Sequence, residues 1–378
     1  RATGSALGML DDSSAEVSVT LSDQPEVLID TTPQIDPDWF FSLRCEQLTS
    51  SAPLLELLRG FVLGLGAEIY ILICSVEDPH HTWEGIFRSI GIALARMYGP
   101  VTPPVSPPME PRTPPLAHTL VIEELSDCSV TVTRKSQESQ VRIVVDCMEQ
   151  EQGTYRFAVA PSSRLEGFGY LLETMARAAG CTLSVDFASA TLSSGHVVME
   201  ETGLVLGRAL KELLILRMKE YGLQGAGSSI CNAADMQQQE ISVGVSVEGK
   251  KFLKFVPFNE TYDELKKNFL IGKDVADGLY SEDLDDFLDG LAGGLDCSIM
   301  IHIRKPVDPA GGWGILFHNL GRALKEVFQK NASRKGVLPG SRGLYIEYAA
   351  YLEPKEVEQK KQEGNGELSE DSPEDPQQ

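Results

Sequence analysis

The sequence predicts an α+β fold assembled from repeated βαβ-type half-domains, each a sheet carrying helices on one face. Three observations predict it. An apolar run of strand character occurs three times, as AEIYILIC (67–74), CTLSVDFA (181–188) and CSIMIHIR (297–304). Each run leads into a segment with leucines and small residues at helical spacing, GIFRSIGIALARMY (85–98), ETGLVLGRALKELL (201–214) and ILFHNLGRALKEVF (315–328), so each has one apolar face. Each run also follows another amphipathic helix, and before that comes strand-like alternation, as in QVRIVVDC (140–147) or ISVGVSV (241–247) with FLKFV (252–256). Every unit therefore reads strand, strand, helix, strand, helix, which is the pattern of a sheet covered on one side.

Length and charge bound the rest. The 378 residues, 42% of them hydrophobic, suffice for two or three domains with ordinary cores. Acidic residues outnumber basic ones 55 to 33, for a net charge of −22, which argues against a nucleic-acid backbone or an anionic membrane as partner and leaves cationic or metal-bound ligands open. The longest apolar stretches, such as LLELLRGFVLGLG (54–66), are interrupted by charge or glycine well short of a membrane span, so a soluble protein is expected. The seven cysteines are scattered, without a C-x-x-C pair, and read as reduced core residues of the cytoplasm or another reducing compartment.

Two compositional breaks divide the chain. The run GPVTPPVSPPMEPRTPP (99–115) excludes helix and ladder alike and reads as a semi-rigid spacer. From Glu353 the chain has almost nothing apolar to bury and reads as a disordered acidic tail. The expected organisation is thus a unit at 1–98, a linker at 99–118, units at 119–222 and 223–352, and a tail at 353–378. A sheet covered on one face leaves the other needing a partner or solvent, so two such units could pack as a pseudo-symmetric pair, and three is an odd number. The first unit is expected to find its neighbour upstream of Arg1, where the chain begins without a methionine, or in another copy within a large homo-oligomer.

Chemistry concentrates at PHHTWEGIFRSIGIALARMY (79–98). On a helix, His81 and Glu84 share a face and can converge on one cation, while His80, at the helix start, points elsewhere. Imidazole with carboxylate suits a first-row divalent ion. The competing reading is structural: both histidines lie in the first turn of a helix capped by Asp78 and Pro79.

Four stretches carry a resemblance. RKSQESQVRIVVD (134–146), GHVVMEETGLVLGRALKELL (195–214), GSALGMLDDSSAEVSVTL (4–21) and KGVLPGSRGLYIEY (335–348) are together similar to the imidazoleglycerol-phosphate dehydratases, enzymes of histidine biosynthesis built from two alike α+β halves, each with an H-H-x-x-E motif heading a helix. In the first of these stretches the family's opening-strand pattern is relaxed to Arg134, Ser136, Glu138, Ser139 and Val141. The resemblance implies a ribosomal protein S5 domain 2-like fold in the order second half, first half, second half, as in a tandem clipped inside its first module. It also implies manganese, with the two histidines of each motif serving different ions.

Motif by motif, the ligands thin out. His80, His81 and Glu84 match in full. In the second unit His196 matches the first histidine and Glu200 the carboxylate, but Val197 stands for the second histidine, and Gly169 and Tyr170 stand where the family has a D-H pair. The third unit reads Ala310, Gly311 and Gly314 at these positions, and its His302 and His318 lie elsewhere. For the substrate phosphate, the resemblance points to Arg342, Ser341 and Lys250, with Gln24 at the corresponding place in the first unit. If active, the protein is a carbon–oxygen lyase: two metal ions hold the substrate's imidazole as imidazolate, and Glu84 or Glu200 or a histidine moves protons as the hydroxyl leaves. The alternative is a non-catalytic relative, a structural or assembly subunit with at most one partial metal half-site.

Overall fold

The computed structural model of the protein describes residues 3–10, 13–46, 48–99, 119–136, 139–147, 155–160, 165–189, 195–229, 240–276, 278–305 and 307–337. The stretch 100–118, Cys231 and everything from residue 338, including Ser341, Arg342 and the expected tail, lie outside them.

The first stretch of chain runs β1 (Thr3–Leu10), β2 (Ser13–Leu21), β3 (Glu26–Thr31), α1 (Pro37–Ser42), α2 (Ala52–Leu65), β4 (Ala67–Ser75) and α3 (Pro79–Tyr98). Its sheet has the order β1-β2-β4-β3, antiparallel except for the parallel pair β3 and β4. Strict alternation in β4 puts Ala67, Ile69, Ile71 and Ile73 in the core and Tyr70 outside. The next stretch runs β5 (Thr119–Leu125), β6 (Ser129–Lys135), β7 (Ser139–Asp146), β8 (Tyr155–Ala160), α4 (Glu166–Ala179), β9 (Thr182–Ser189) and α5 (Gly195–Glu220), with sheet order β5-β6-β7-β9-β8. The last runs β10 (Ala226–Ser228), β11 (Ile241–Val247), β12 (Phe252–Pro257), α6 (Tyr262–Leu265) with a π-helical turn, the short hairpin β13 (Asp274–Ala276) and β14 (Leu279–Tyr280), α7 (Ser281–Leu295), β15 (Cys297–Ile303) and α8 (Pro309–Val327). Its sheet order is β10-β11-β15-β12.

The α+β class is as the periodicity predicts. The main sheets of the first and third units have one strand more than the strand–strand–helix–strand–helix pattern and that of the second has two more, because strands such as the short β10 and the half-exposed edge strand β3 lack the continuous apolar run that marks a central strand. In each unit the strand before the first long helix returns parallel to the strand after it, β3 to β4, β8 to β9 and β12 to β15, a βαβ crossover repeated three times. The turn between that helix and that strand is left-handed each time, with Gly66 at φ 64°, Gly180 at φ 71° and Asp296 at φ 53°.

The helices of the second and third units form one double layer between two sheets. There α5 crosses α7 and α4 crosses α8, with Gly203, Gly207, Gly290 and Gly294 letting the α5 and α7 backbones touch. A Trp313 indole stacks on Phe269 inside the third unit, its Nε1 donating to Ser281 Oγ at 2.9 Å, much as Trp83 stacks on Phe40 inside the first. The first unit meets the third through polar contacts: Lys266 reaches Glu77 at 2.5 Å, and the Arg44 guanidinium lies 4.0 Å from the centre of the Tyr280 ring.

No described helix is long and apolar enough to cross a membrane. The described cysteines are free thiols. Burial pushes Cys147 up to about 11 and Cys181 up to about 12, which leaves almost no thiolate at neutral pH. Alkylation of these two by iodoacetamide at pH 7.5 is expected to run at least about tenfold slower in the folded protein than in urea, as read by peptide mass spectrometry; equal rates would contradict the burial.

Candidate metal centre

The head of α3 is fixed first. Asp78 is its N-cap, with Oδ1 accepting from the His81 N–H at 3.1 Å, and Pro79 takes the first helical position where no amide hydrogen is needed. Ser13 Oγ holds this loop from β2, accepting from the amides of Glu77 and Asp78 at 3.1 and 3.3 Å. The capping arrangement expected for the histidine pair is therefore present. It also aims the buried His81 ring inward, 4% exposed, at the junction of all three units.

Two other helices end at that junction. His196 is the second residue of α5, and its Nδ1 lies 2.6 Å from Asp286 Oδ2 on α7. The His81 and His196 rings meet edge to face with centroids 4.8 Å apart, and His80 flanks both at 5.8 and 5.4 Å. Half of the chain's six histidines thus gather at one point. One nitrogen of His81, one of His196 and one carboxylate oxygen of Asp286 all lie within 4.8 Å of one another.

The surrounding charge is strongly negative. Burial, reinforced by Asp78 and Asp285, holds the Asp286 carboxyl well above the usual carboxylate range. Burial and then Asp78 push Asp283 up to about 7, and burial with Asp78 and Asp283 raises Glu282. Carboxyl groups crowded together away from water resist ionisation unless a cation offsets them. Two imidazoles and a carboxylate are a donor set that suits a first-row divalent ion, and the acidic surround suits its charge. The residues present therefore fit a metal ion.

The residues singled out from sequence fall in different places. His81 and His196 are brought together. His80 instead faces Glu46, with Nδ1 3.0 Å from Oε1, and Glu84, with Nε2 3.5 Å from Oε2. The Cys45 thiol and the Glu46 carboxylate beside it push His80 up to about 10, so it is placed as a cation in an ion-pair network. Glu84 extends that network to Arg88, and the carboxylate that joins His81 is Asp286. Glu200 is half-exposed, 3.7 Å from His196 Nε2. Lys250 is exposed at the β11–β12 turn, and Ser341 and Arg342 are outside the described residues.

A cavity of about 770 Å³ opens beside the three donors. His81, His196, Glu200 and Asp286 form part of its wall, and Lys251 and Lys254 bring positive charge from β12 and the turn before it. This is ample room for a small metabolite. Asp286, Lys251 and Lys254 were not singled out from sequence. The signal for Asp286 was the acidic head of α7, SEDLDD, with five carboxylates between 282 and 289 on a helix otherwise built for packing.

No family model matches the chain. It is similar to the imidazoleglycerol-phosphate dehydratase of Streptococcus sanguinis, 24% identical over 206 residues that cover 54% of this chain and 94% of that protein. It is likewise similar to the dehydratase of Clostridium botulinum, 25% identical over 45% of this chain and 78% of that one. Among solved structures, that of the Pyrococcus furiosus enzyme covers 56% of this chain and 99% of its own at 18% identity, with a TM-score of 0.39. The Staphylococcus aureus enzyme covers 53% and 98% at 14% identity, with a TM-score of 0.37.

Proposed function

We propose that this chain, a divergent relative of the imidazoleglycerol-phosphate dehydratases over about half its length, binds one divalent cation at the junction of its three units and serves as a structural or assembly subunit. The observation that carries this reading is the convergence of His81, His196 and Asp286 from three different helices of three different units. His81 would supply one nitrogen, His196 a second and Asp286 an oxygen, and manganese is the ion the family resemblance favours. Within the chain, Asp78 fixes the His81 backbone, and Asp286 holds the His196 ring by its Nδ1. An ion there would act as a Lewis acid and would tie the first unit to the other two. The eroded motifs support the non-catalytic reading: Val197 and Ala310 stand where histidines are needed, and one site replaces the two expected of a working dehydratase.

A second reading keeps catalysis. The cavity places Lys251 and Lys254 near the donors, where they could hold a phosphate, and Glu200 at a position from which it could move a proton. Titrating the purified full chain with Mn²⁺ by calorimetry, and assaying dehydration of imidazole glycerol phosphate, separates the two. One ion per chain, a higher melting temperature and no turnover are expected. Turnover would establish the lyase reading in its place, and failure to bind Mn²⁺, Zn²⁺ or Fe²⁺ would remove both.

A further inference from the structure

The last turn of α5 is an ordinary place for a cation, since the helix dipole leaves that end negative and a long side chain can carry its charge out to water. Arg217 does not reach water. It is 7% exposed, and its Nε is buried without a hydrogen-bond acceptor among the described residues. Asp127, close enough to feel its charge, accepts from the Tyr221 hydroxyl at 2.6 Å instead. A guanidinium kept from water in this way costs free energy that only an acceptor would offset.

Arg217 forms part of the wall of a cavity of about 710 Å³ between the C-terminal ends of α4, α5 and α8 and the strands β7 and β9. Most of that wall is aliphatic, including Val145, Met175, Leu183, Leu206, Leu210 and Leu324, and Phe328 brings the one aromatic ring among its described residues. Lys325 and Lys330 add positive charge from the end of α8 and just beyond it. Glu326 is the one carboxylate among the described lining residues, and its Oε2 accepts from the Ser228 N–H at 2.8 Å. On a chain of net charge −22, this wall therefore carries three cations against one acid that already has a partner. A void left by loose packing between two units would be apolar and dry, and gives no reason for a buried guanidinium to face it.

We propose that this cavity binds a medium-chain aliphatic carboxylate, with its chain against the aliphatic wall and its carboxylate paired to Arg217. A planar guanidinium matches a carboxylate bidentately and supplies the orientation, while the apolar wall supplies most of the contact. The volume is that of a pocket for a small organic molecule. A ligand carrying phosphate would bring a second charge and a stronger hydration shell to a wall with little else to offer it. The site lies about six turns, roughly 30 Å, along α5 from His196, so it does not rest on the metal reading.

Calorimetric titration of the full chain with decanoate and with decanol as probes is expected to show one decanoate site per chain, at least about tenfold tighter than decanol. Arg217→Met keeps the apolar stem and removes the charge. It should bring decanoate down to the affinity of decanol and leave decanol binding unchanged. The melting temperature without ligand should hold or rise, because a buried charge lacking an acceptor is gone, and Mn²⁺ binding should be unaffected. Ala179→Trp, which puts a ring into the cavity from the end of α4, should abolish binding of both probes. Equal affinity for decanoate and decanol in the parent chain, or no binding of either, overturns the proposal. So does a decanoate preference that survives Arg217→Met, or decanoate binding that Ala179→Trp leaves intact.

Discussion

Replacing Asp286 with alanine is expected to weaken Mn²⁺ binding by at least about a hundredfold, because it removes one of the three converging donors, whereas losing even an outer partner of a metal ligand typically costs about 10–100-fold. The effect on folding should be small by comparison. Asp286 is partly buried among carboxylates that raise one another, so its removal relieves repulsion while depriving His196 Nδ1 of a partner at 2.6 Å, and the two effects oppose. The signature is therefore a split. The melting temperature without metal stays near that of the parent, while the increase on adding metal disappears; in the parent, metal at a hundred times its dissociation constant should add about 2.7 kcal/mol. Calorimetric titration and thermal melts with and without Mn²⁺ read both quantities. Unchanged affinity would mean that the ion sits elsewhere.

Replacing Gly207 with valine is expected to cost about 4 kcal/mol or more of stability, in the range reserved for overpacking that the backbone cannot relieve. A Cβ there would lie 2.4 Å from Leu291 O, 2.7 Å from Leu295 N and 2.9 Å from Gly294 Cα, all main-chain atoms of α7. The far side of α7 rests on its own sheet, so it cannot retreat without opening the core around Leu288 and Leu291. The damage should reach the metal centre too, since His196 heads α5 and Asp286 lies on α7, and wedging these helices apart separates two donors. Loss of metal affinity should therefore accompany the loss in urea midpoint. Gly314→Ala is the control. It lies on α8 with nothing within 4 Å of a new Cβ, and should be neutral or stabilising by up to about 1 kcal/mol.

The parts of this protein that were legible in advance are those written in short range. The isoleucines of β4 alternate, and the glycines and leucines of α3, α5 and α8 recur at helical spacing, so strand and helix could be read directly and their repetition counted. The edge strands escaped because a half-buried strand such as β3 carries only half of that signal. At the site, the pair His80 and His81 was conspicuous, yet spacing along one helix predicted Glu84 as the companion of His81. The structure places Glu84 beside His80 and Arg88 and gives His81 the company of His196 and Asp286. In the sequence Asp286 is one of five carboxylates between 282 and 289, and nothing local distinguishes it from Asp285 or Asp289.

By itself, then, the sequence determined the α+β class, the threefold recurrence of one frame and the thinning of its histidines, because hydrophobic period and residue identity are properties of neighbouring positions. Only the tertiary structure decided which donors meet. His196 and Asp286 are 90 residues apart in the chain and 2.6 Å apart in space because α5 and α7 cross at glycines. The matching glycines of α2 and α3, Gly60, Gly64 and Gly91, have nothing within 4 Å of an added Cβ, because among the described residues no second helix layer packs on them. Contacts of that kind depend on how whole layers stack, and no window of sequence contains them.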